Sequence, residues 1–539
     1  MSEQSGVAEP EDHTSAEKSS KAKLTRRGLL GGAAGAAVAT GVAATLWSQQ
    51  PPRGPYNAAV EAFNASKPIR DAKTMILEPS WTLVYRNNDV EMVAGQSIVV
   101  QDGRIAEIVD GRVSGNDVRI DMTGQLLIPG MISGHTHGAL GSPTRGTIES
   151  GRSYGPAAYL LEELSDEDID AVTAYNLAEI LRAGCTTQVE QSLNMSNAQS
   201  YVRVARNWGV RAYPSGMLPT FSKMFPTWRA TDDQVLHDSA AGTLEEINIF
   251  RDWAVSIMGA EGDRIRPMIA PQGPETQTPE TLDAALAVAR ELGTGIHTHL
   301  ATIAGDAERM IRLWGKGPVP WIEDHGWYDV PLFGAHMSGW DAVNDAPFLA
   351  KKEKFTFVHC PSGAGAGAGS GGQPFIEALG SGINVAVGLD SHSNDLLENA
   401  KLAVLYGRLR YDLINKTSPV PVKRPTVWDL VKSVTLTPAN GLGRNDLGRI
   451  EVGALADLTS IDISGFLVGA GAAGPEPLNN LLYANGTMVR NVMTQGVLQV
   501  SDGHLVVDDE NGVIKKGGEV VSRIWAQLET DGFFTETAR

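Results

Sequence analysis

Two histidines spaced i, i+2 close an apolar run, Leu127-Ile128-Pro129-Gly130-Met131-Ile132-Ser133-Gly134-His135-Thr136-His137. On a β-strand, side chains at that spacing point to the same side, so both imidazoles face one cavity. Neutral imidazole is the commonest protein ligand for zinc and similar ions, and two from one strand end supply half of a four-coordinate site. Alone, the pair also reads as two polar residues in a turn after a buried strand. Four more stretches repeat the theme: Gly295-Ile296-His297-Thr298-His299-Leu300, Leu332-Phe333-Gly334-Ala335-His336, Phe355-Thr356-Phe357-Val358-His359-Cys360-Pro361, and Ile383-Asn384-Val385-Ala386-Val387-Gly388-Leu389-Asp390-Ser391. Each is a short apolar run whose last residues can bind a metal or move a proton.

Such strands, separated by helix-length segments, predict an α/β fold, a (β/α)8 TIM-like barrel with its site at the strand C-termini. Residues 166–183 carry apolar positions at helical spacing behind a Ser165 cap and lead into the strand-like Gly184-Cys185-Thr186-Thr187-Gln188-Val189-Glu190. Thr278 caps a second predicted helix, with Pro279 at its first position, running to Leu292. Alternating strands with Asp102-Gly103 and Asp502-Gly503 hairpin signals occupy both flanks, which predicts that the two ends pair into one small β-sandwich. The aromatic- and Met-rich stretch 192–242 reads as a loop shaping a substrate pocket or as a packed helical insertion.

The 539 residues, 42% apolar, suffice for a barrel with insertions and a smaller domain. A net charge of -18 argues against nucleic acid or an anionic membrane as partner. Cys185 and Cys360 are the only cysteines, too few for a disulfide framework or a paired-cysteine metal motif. Near the amino terminus, Arg26-Arg27 precede an uncharged Gly/Ala-rich stretch ending at Trp47 and resemble a twin-arginine export signal. That reading makes the export machinery a partner and the protein periplasmic or extracellular, tethered to the membrane if the signal is uncleaved. The domain reading is 1–50 signal and polar tail, 51–71 linker, 72–129 and 446–510 composite β-sandwich, 130–445 barrel, and 511–539 C-terminal extension.

The order of motifs, PG-x-I-x-GHTH, GCTT, HTHL, AH, HCPS and GLDS, resembles the amidohydrolase superfamily of metal-dependent hydrolases. Within it the likeness is to the branch of triazine hydrolases, cytosine and guanine deaminases and adenosylhomocysteine-type deaminases. It extends from about residue 72 to about residue 510, including Thr144-Arg145-Gly146 and the segment from Gly448 to Leu458. The resemblance implies one divalent metal held by His135, His137, His299 and Asp390. These donors suit Zn²⁺ first and also Fe²⁺, Mn²⁺ or Co²⁺. It implies that His336 stabilises the addition intermediate, that Asp390 also carries the proton, and that His359 shapes the pocket; His297 is a packed or supporting residue one layer deeper. A homo-oligomer is expected.

Three departures bear on the reaction. Deaminases of this branch carry a glutamate three residues after the strand-five ligand, where this chain has Thr302, and a hydroxyl cannot protonate a ring nitrogen as a carboxylic acid can. Gln272 stands where many relatives have a substrate-contacting histidine, and residues 363–372 form a Gly/Ala run in place of a Ser-Asn segment. Gln272, Thr302 and His359 are therefore the candidate substrate contacts. The favoured function is hydrolysis of a non-peptide carbon-nitrogen bond in an amide-like or heterocyclic molecule. The alternative is an aminohydrolase of a purine, pyrimidine or triazine ring, and a non-catalytic binding protein comes third.

Overall fold

Apolar residues at alternate positions drive the first strands into a sheet with one buried face. In the computed structural model, which describes residues 56–70, 72–115, 117–224, 234–366, 372–469, 474 and 476–535, the chain opens with β1 (Thr74–Arg86), β2 (Asp89–Ala94), β3 (Gln96–Gln101), β4 (Arg104–Asp110) and β5 (Val118–Pro129). β1 pairs antiparallel with β2 and β3 and parallel with β5. The hairpin between β3 and β4 turns at Asp102 and Gly103, both at positive φ (50° and 76°), the conformation that a two-residue turn of this hand requires.

β5 runs almost without a break into the barrel. The hinge is Gly130, where a Cβ would lie 2.3 Å from Thr186 Oγ1, so no other residue fits without moving the neighbouring strand. Eight parallel strands follow in two runs. The first is β6 (Met131–Thr136), β7 (Cys185–Ser192), β8 (Arg211–Leu218) and β9 (Ala270–Pro271); the second is β10 (Ile296–Leu300), β11 (Leu332–His336), β12 (Phe355–His359) and β13 (Asn384–Val387). Single bridges from Ile269 to Ile296 and from Thr136 to Asp390 join the runs at both seams. Ile132, Val189, Met268, Phe333, Val358 and Ala386 fill the interior, and Leu442, Leu447 and Leu455 join them.

The chain then returns to the sheet through β14 (Leu458–Asp462), β15 (Val489–Thr494), β16 (Val497–Ser501) and β17 (His504–Leu505). β14 lies antiparallel to β5, with Leu458 opposite Pro129, so the two flanks form one continuous nine-stranded sheet. Met75, Leu77, Ile98 and Met122 share its core with Leu458, Met493, Leu498 and Val506.

Several helices follow the sequence reading. Ser165 caps Asp166–Arg182 by accepting from the Asp168 N–H, and acids fill its first turn, where they complement the helix dipole. At Thr278 the backbone N–H donates to Thr281 Oγ1 (2.9 Å), opening the helix Pro279–Leu292.

Other readings need correction. The 51–71 segment is not a linker throughout: Tyr56–Ala65 and Lys67–Arg70 are helical, built on good helix formers, and Ala62 and Ile69 pack on the sheet core. The 192–242 stretch is mostly barrel, comprising the helix Met195–Trp208, β8 and the start of the helix Gln234–Ile257. The C-terminal extension is a helix, Glu510–Thr530, seated on Asp166–Arg182 so closely that a Cβ on Gly517 would lie 2.4 Å from Tyr175 Cβ. The export signal with Arg26-Arg27, the Pro51–Pro55 stretch, residues 225–233 and residues 367–371 of the Gly/Ala run lie outside the described residues. Among the described residues no helix is long and apolar enough to cross a membrane.

One buried ion pair fastens barrel to sheet. Arg211 at the start of β8 donates from Nε and Nη2 to the two oxygens of Asp457 (2.8 and 3.2 Å), and the Gln495 N–H also donates to Asp457 (2.8 Å). Both side chains are almost wholly enclosed, so removing one strands a buried charge. Asp457→Ala should lower the unfolding free energy by about 3–5 kcal/mol. Urea titration checks this, and an unchanged midpoint would contradict it.

Candidate metal and active site

The strand ends deliver their histidines to one spot. His135 lies in β6 with His137 one residue past it, His297 and His299 lie in β10, His336 and His359 close β11 and β12, and Asp390 follows β13. The His135 ring meets His137, His297, His299 and His336 edge-on, with centroids 4.7, 4.8, 4.8 and 5.3 Å away. His299 and His336 are stacked at 5.3 Å. Asp390 Oδ1 approaches His137 Nε2 to 3.5 Å and His135 Nε2 to 3.8 Å. All are buried.

Hydrogen bonds fix which nitrogens are bare. His137 Nδ1 donates to the Gln191 carbonyl and His299 Nδ1 to the Gln272 carbonyl, both at 2.6 Å, so each ring turns an unprotonated Nε2 away from its partner. His135 Nδ1 meets His297 Nε2 at 2.7 Å. His135 Nε2 is buried without a hydrogen-bond partner among the described residues. A buried polar nitrogen facing other lone pairs is costly unless something electropositive sits among them. Ligand atoms of His135, His137 and Asp390, and likewise those of His135, His299 and His336, lie within 4.8 Å of one another. Three imidazoles and a carboxylate with bare donor atoms fit a divalent cation.

Electrostatics agree. Burial, reinforced by the neighbouring imidazoles, drives His135 and His297 far below the ordinary histidine range and His299 and His336 to about 3. His359 falls to about 4, chiefly through burial. Cys360 Sγ also lies near His336 and Asp390, but burial holds its thiol well above the usual range, and a thiol must ionise to ligate. Burial raises Cys185 to about 12.

The backbone is strained where the chemistry sits. His336 (φ 79°), Met337 (φ 55°) and Asp390 (φ 58°) occupy the left-handed region, at about 1–3 kcal/mol each. Asp390 is held there by its N–H donating to the His135 carbonyl (3.1 Å) and by the Ser391 N–H donating to its Oδ1 (2.8 Å). A Cβ on Gly363 would lie 2.6 Å from Asp390 Oδ2, so the start of the Gly/Ala run is not a featureless surface loop: its first residue abuts the carboxylate. Glu190 supports the other side. Its Oε1 accepts from the Gly138 N–H (3.1 Å), just past His137, and burial raises its carboxyl to about 8.

The three candidate substrate contacts are placed differently. Gln272 gives its carbonyl to His299 and buries its side chain, with Oε1 unpartnered among the described residues. His359 stacks on Phe375 (4.9 Å) and bonds through Nδ1 to Gln373 Oε1 (2.8 Å). Thr302 is half-buried, three residues past His299, after a positive-φ turn at Ala301. The sequence reading does not single out Gln191 or Gln373, and it names Gly363 only as the start of the Gly/Ala run. Of these only Gln191 carried a signal, two residues past Val189 on the inward face of β7.

A parallel barrel that gathers histidines and an aspartate at its strand ends defines a metal-dependent hydrolase class. This chain belongs to the amidohydrolase family, whose model matches residues 126–500. It is 29% identical over 409 residues to a 5-methylthioadenosine/S-adenosylhomocysteine deaminase of Moorella thermoacetica, covering 72% of this chain and 85% of that one. It is 25% identical to a 5′-deoxyadenosine deaminase of Methanosarcina mazei, covering 86% and 99%. Similar solved folds include an atrazine chlorohydrolase of Arthrobacter aurescens complexed with zinc, with a TM-score of 0.70, 19% identity and coverage of 83% and 100%. Another is an adenosine deaminase of Xanthomonas campestris with bound zinc, with a TM-score of 0.68, 21% identity and coverage of 84% and 98%.

A histidine whose pKa is depressed by folding takes up its proton more readily in the unfolded chain. Its contribution to stability is therefore complete above the unfolded value near 6.5 and is lost as pH falls toward the folded value. Carboxyls whose protons the fold holds more tightly act in the opposite sense, Glu190, Glu275 and Asp345 strongly and Glu162 and Asp395 less so; the five depressed histidines outnumber the three strongly shifted carboxyls. Chelator-treated protein should thus lose stability between pH 6.5 and 5, by up to about 1.4 kcal/mol per pH unit for each uncompensated histidine. Urea midpoints across that range are the check, and a midpoint that rises on acidification would contradict it.

Proposed function

We propose that the protein is a metal-dependent hydrolase of a small molecule, cleaving a carbon-nitrogen bond other than a peptide bond, and that this bond holds the exocyclic amine of a heterocycle. The first half is supported by the ligand atoms of His135, His137 and Asp390 lying within 4.8 Å of one another, as do those of His135, His299 and His336, around an unpartnered His135 Nε2. The second is supported by the two deaminases that align over 85% and 99% of their lengths. A divalent ion, zinc first, would be held by His135, His137, His299 and Asp390 and would lower the pKa of an attacking water to about 7. Asp390 takes the proton of the attacking water and passes it to the departing amine. His336, stacked on His299, faces the oxygen on which charge develops. Gln272 and His359 line the substrate side.

Amide-like hydrolysis is the second reading, and Thr302 favours it. Deaminating an aromatic ring calls for protonation of a ring nitrogen, and losing that acid costs about 10²–10⁴-fold. An amide needs no such proton, because its carbonyl oxygen accepts the charge directly.

Zinc-loaded protein assayed for ammonia release from 5′-methylthioadenosine, S-adenosylhomocysteine, 5′-deoxyadenosine and aminotriazines, beside a set of amides and lactams, separates the two. His137→Ala and Asp390→Ala should abolish turnover, and retained activity in both would sink the hydrolase proposal. If the enzyme deaminates, Thr302→Glu should raise kcat/KM. If it cleaves amides, Thr302→Ala should lower kcat/KM by less than about tenfold, since no general acid is lost.

We also propose export by the twin-arginine route, supported by Arg26-Arg27 before the uncharged stretch. Changing both to lysine should hold the protein in the cytoplasm, as fractionation would show; undiminished export refutes the proposal.

A further inference from the structure

Gln373, just past the Gly/Ala run, touches both His336 and His359. Its amide has only one possible orientation. The Cys360 N–H donates to Oε1 (2.8 Å), and the Cys360 carbonyl accepts from Nε2 (3.4 Å), so two backbone groups of one residue identify which amide atom is oxygen and which is nitrogen. The histidines must then comply. His359 Nδ1 faces the oxygen at 2.8 Å and carries a proton; His336 Nδ1 faces the NH2 group at 3.2 Å and is bare.

We propose that Gln373 is the positioning residue that sets opposite tautomers on these two rings, making His336 a donor through Nε2–H and His359 an acceptor through Nε2. Both rings are buried; an imidazole whose Nδ1 faces an NH2 group can carry its proton only on Nε2, and one whose Nδ1 faces a carbonyl oxygen carries it on Nδ1. With Nδ1 committed to Gln373, Nε2 is the atom His336 offers to the cluster. A neutral imidazole with its proton there stabilises a developing oxyanion and cannot act as the base. That leaves proton abstraction to Asp390. His359, with a bare Nε2, selects substrates that present an N–H or O–H on that wall. The catalytic consequence rests on the hydrolase reading above, whereas the tautomers rest on geometry alone.

The test reads the two separately. Full-length, zinc-loaded protein labelled with 15N-histidine is recorded in long-range 1H–15N spectra near neutral pH, where protonated and bare ring nitrogens differ in shift. His336 and His359 are assigned by the signals lost in His336→Asn and His359→Asn. The expected spectrum has His336 protonated at Nε2 and His359 at Nδ1. Gln373→Glu, nearly isosteric but unable to donate when ionised, should move the His336 proton to Nδ1 and leave His359 unchanged. Should that variant fail to fold, Gln373→Met serves instead, and the His336 pattern should lose its preference. Wild-type protein with His336 protonated at Nδ1, or a folded variant with an unaltered His336 pattern, overturns the proposal. On whichever substrate the assay above identifies, Gln373→Glu should lower kcat by about 10²-fold with KM little changed, as for loss of one oxyanion donor. A moved tautomer without a fall in kcat would overturn the catalytic role while leaving the structural one.

Discussion

Six imidazoles gather beside one carboxylate, and the site depends on keeping five of them, His135, His297, His299, His336 and His359, from taking up a proton. Charging any of these five would place a cation in a buried space among other imidazoles, and the depressed pKa values express that cost. A neutral imidazole has one proton and one lone pair, so function depends on which nitrogen holds which. The protein settles this with fixed acceptors. Carbonyls of Gln191 and Gln272 hold the Nδ1 protons of His137 and His299, and the lone pairs are left to converge. Backbone carbonyls suit this task, since barrel hydrogen bonding already holds them in place.

The barrel's own constraints explain the rest of the arrangement. Parallel strands bring side chains from distant parts of the sequence to the same level, and β10 and β11 run in register with His299 opposite Ala335 and Leu300 opposite His336. The left-handed residues at His336 and Asp390 turn the chain sharply at the rim, which aims a side chain inward where a regular strand would carry it past the site. Such strain persists only where surroundings over-determine it. At Asp390 they do so through the His135 carbonyl, the Ser391 N–H and the bare face of Gly363. Farther out, Arg211 and Asp457 lock the barrel to the sheet that contains the strand leading to His135.

What the sequence disclosed was local. His-x-His, HTHL and the Asp after Gly388-Leu389 were legible because a ligand at a strand end is marked by period-two alternation and an apolar run, both short-range signals. Pairing of β5 with β14 could be inferred only as two flanks of like texture; the register with Leu458 opposite Pro129 is a long-range fact. Gln373 is invisible in the sequence because it follows a Gly/Ala run, fourteen residues beyond His359 and farther still from His336. Gly363 read as one more small residue, since nothing in a glycine announces which side chain approaches it. The helices between Tyr56 and Arg70 fall where the sequence reads as a linker, because prolines at 51, 52 and 55 outweigh the alanines after them.

Thr302 brings these constraints to bear on the reaction. Among the described residues, Asp390 is the carboxylate set against the cluster, with Oδ1 close to two of the ring nitrogens. Glu275 follows the Gln272 segment and burial, with Asp306 nearby, raises its carboxyl well above the ordinary range, but it is enclosed with 0% exposure. An acid sealed in that way cannot deliver a proton to a ring held before Asp390. Glu190 is likewise enclosed with 0% exposure, its Oε1 taken by the Gly138 N–H and the Ser192 hydroxyl, so on the proposed function proton traffic falls to Asp390, which carries one proton at a time from the water to the leaving nitrogen. On the amide-like reading such a site needs only a single transfer; on the deaminase reading a purine takes a second proton on its ring nitrogen, which the Thr302 hydroxyl does not supply, so residue 302 is where the two readings divide.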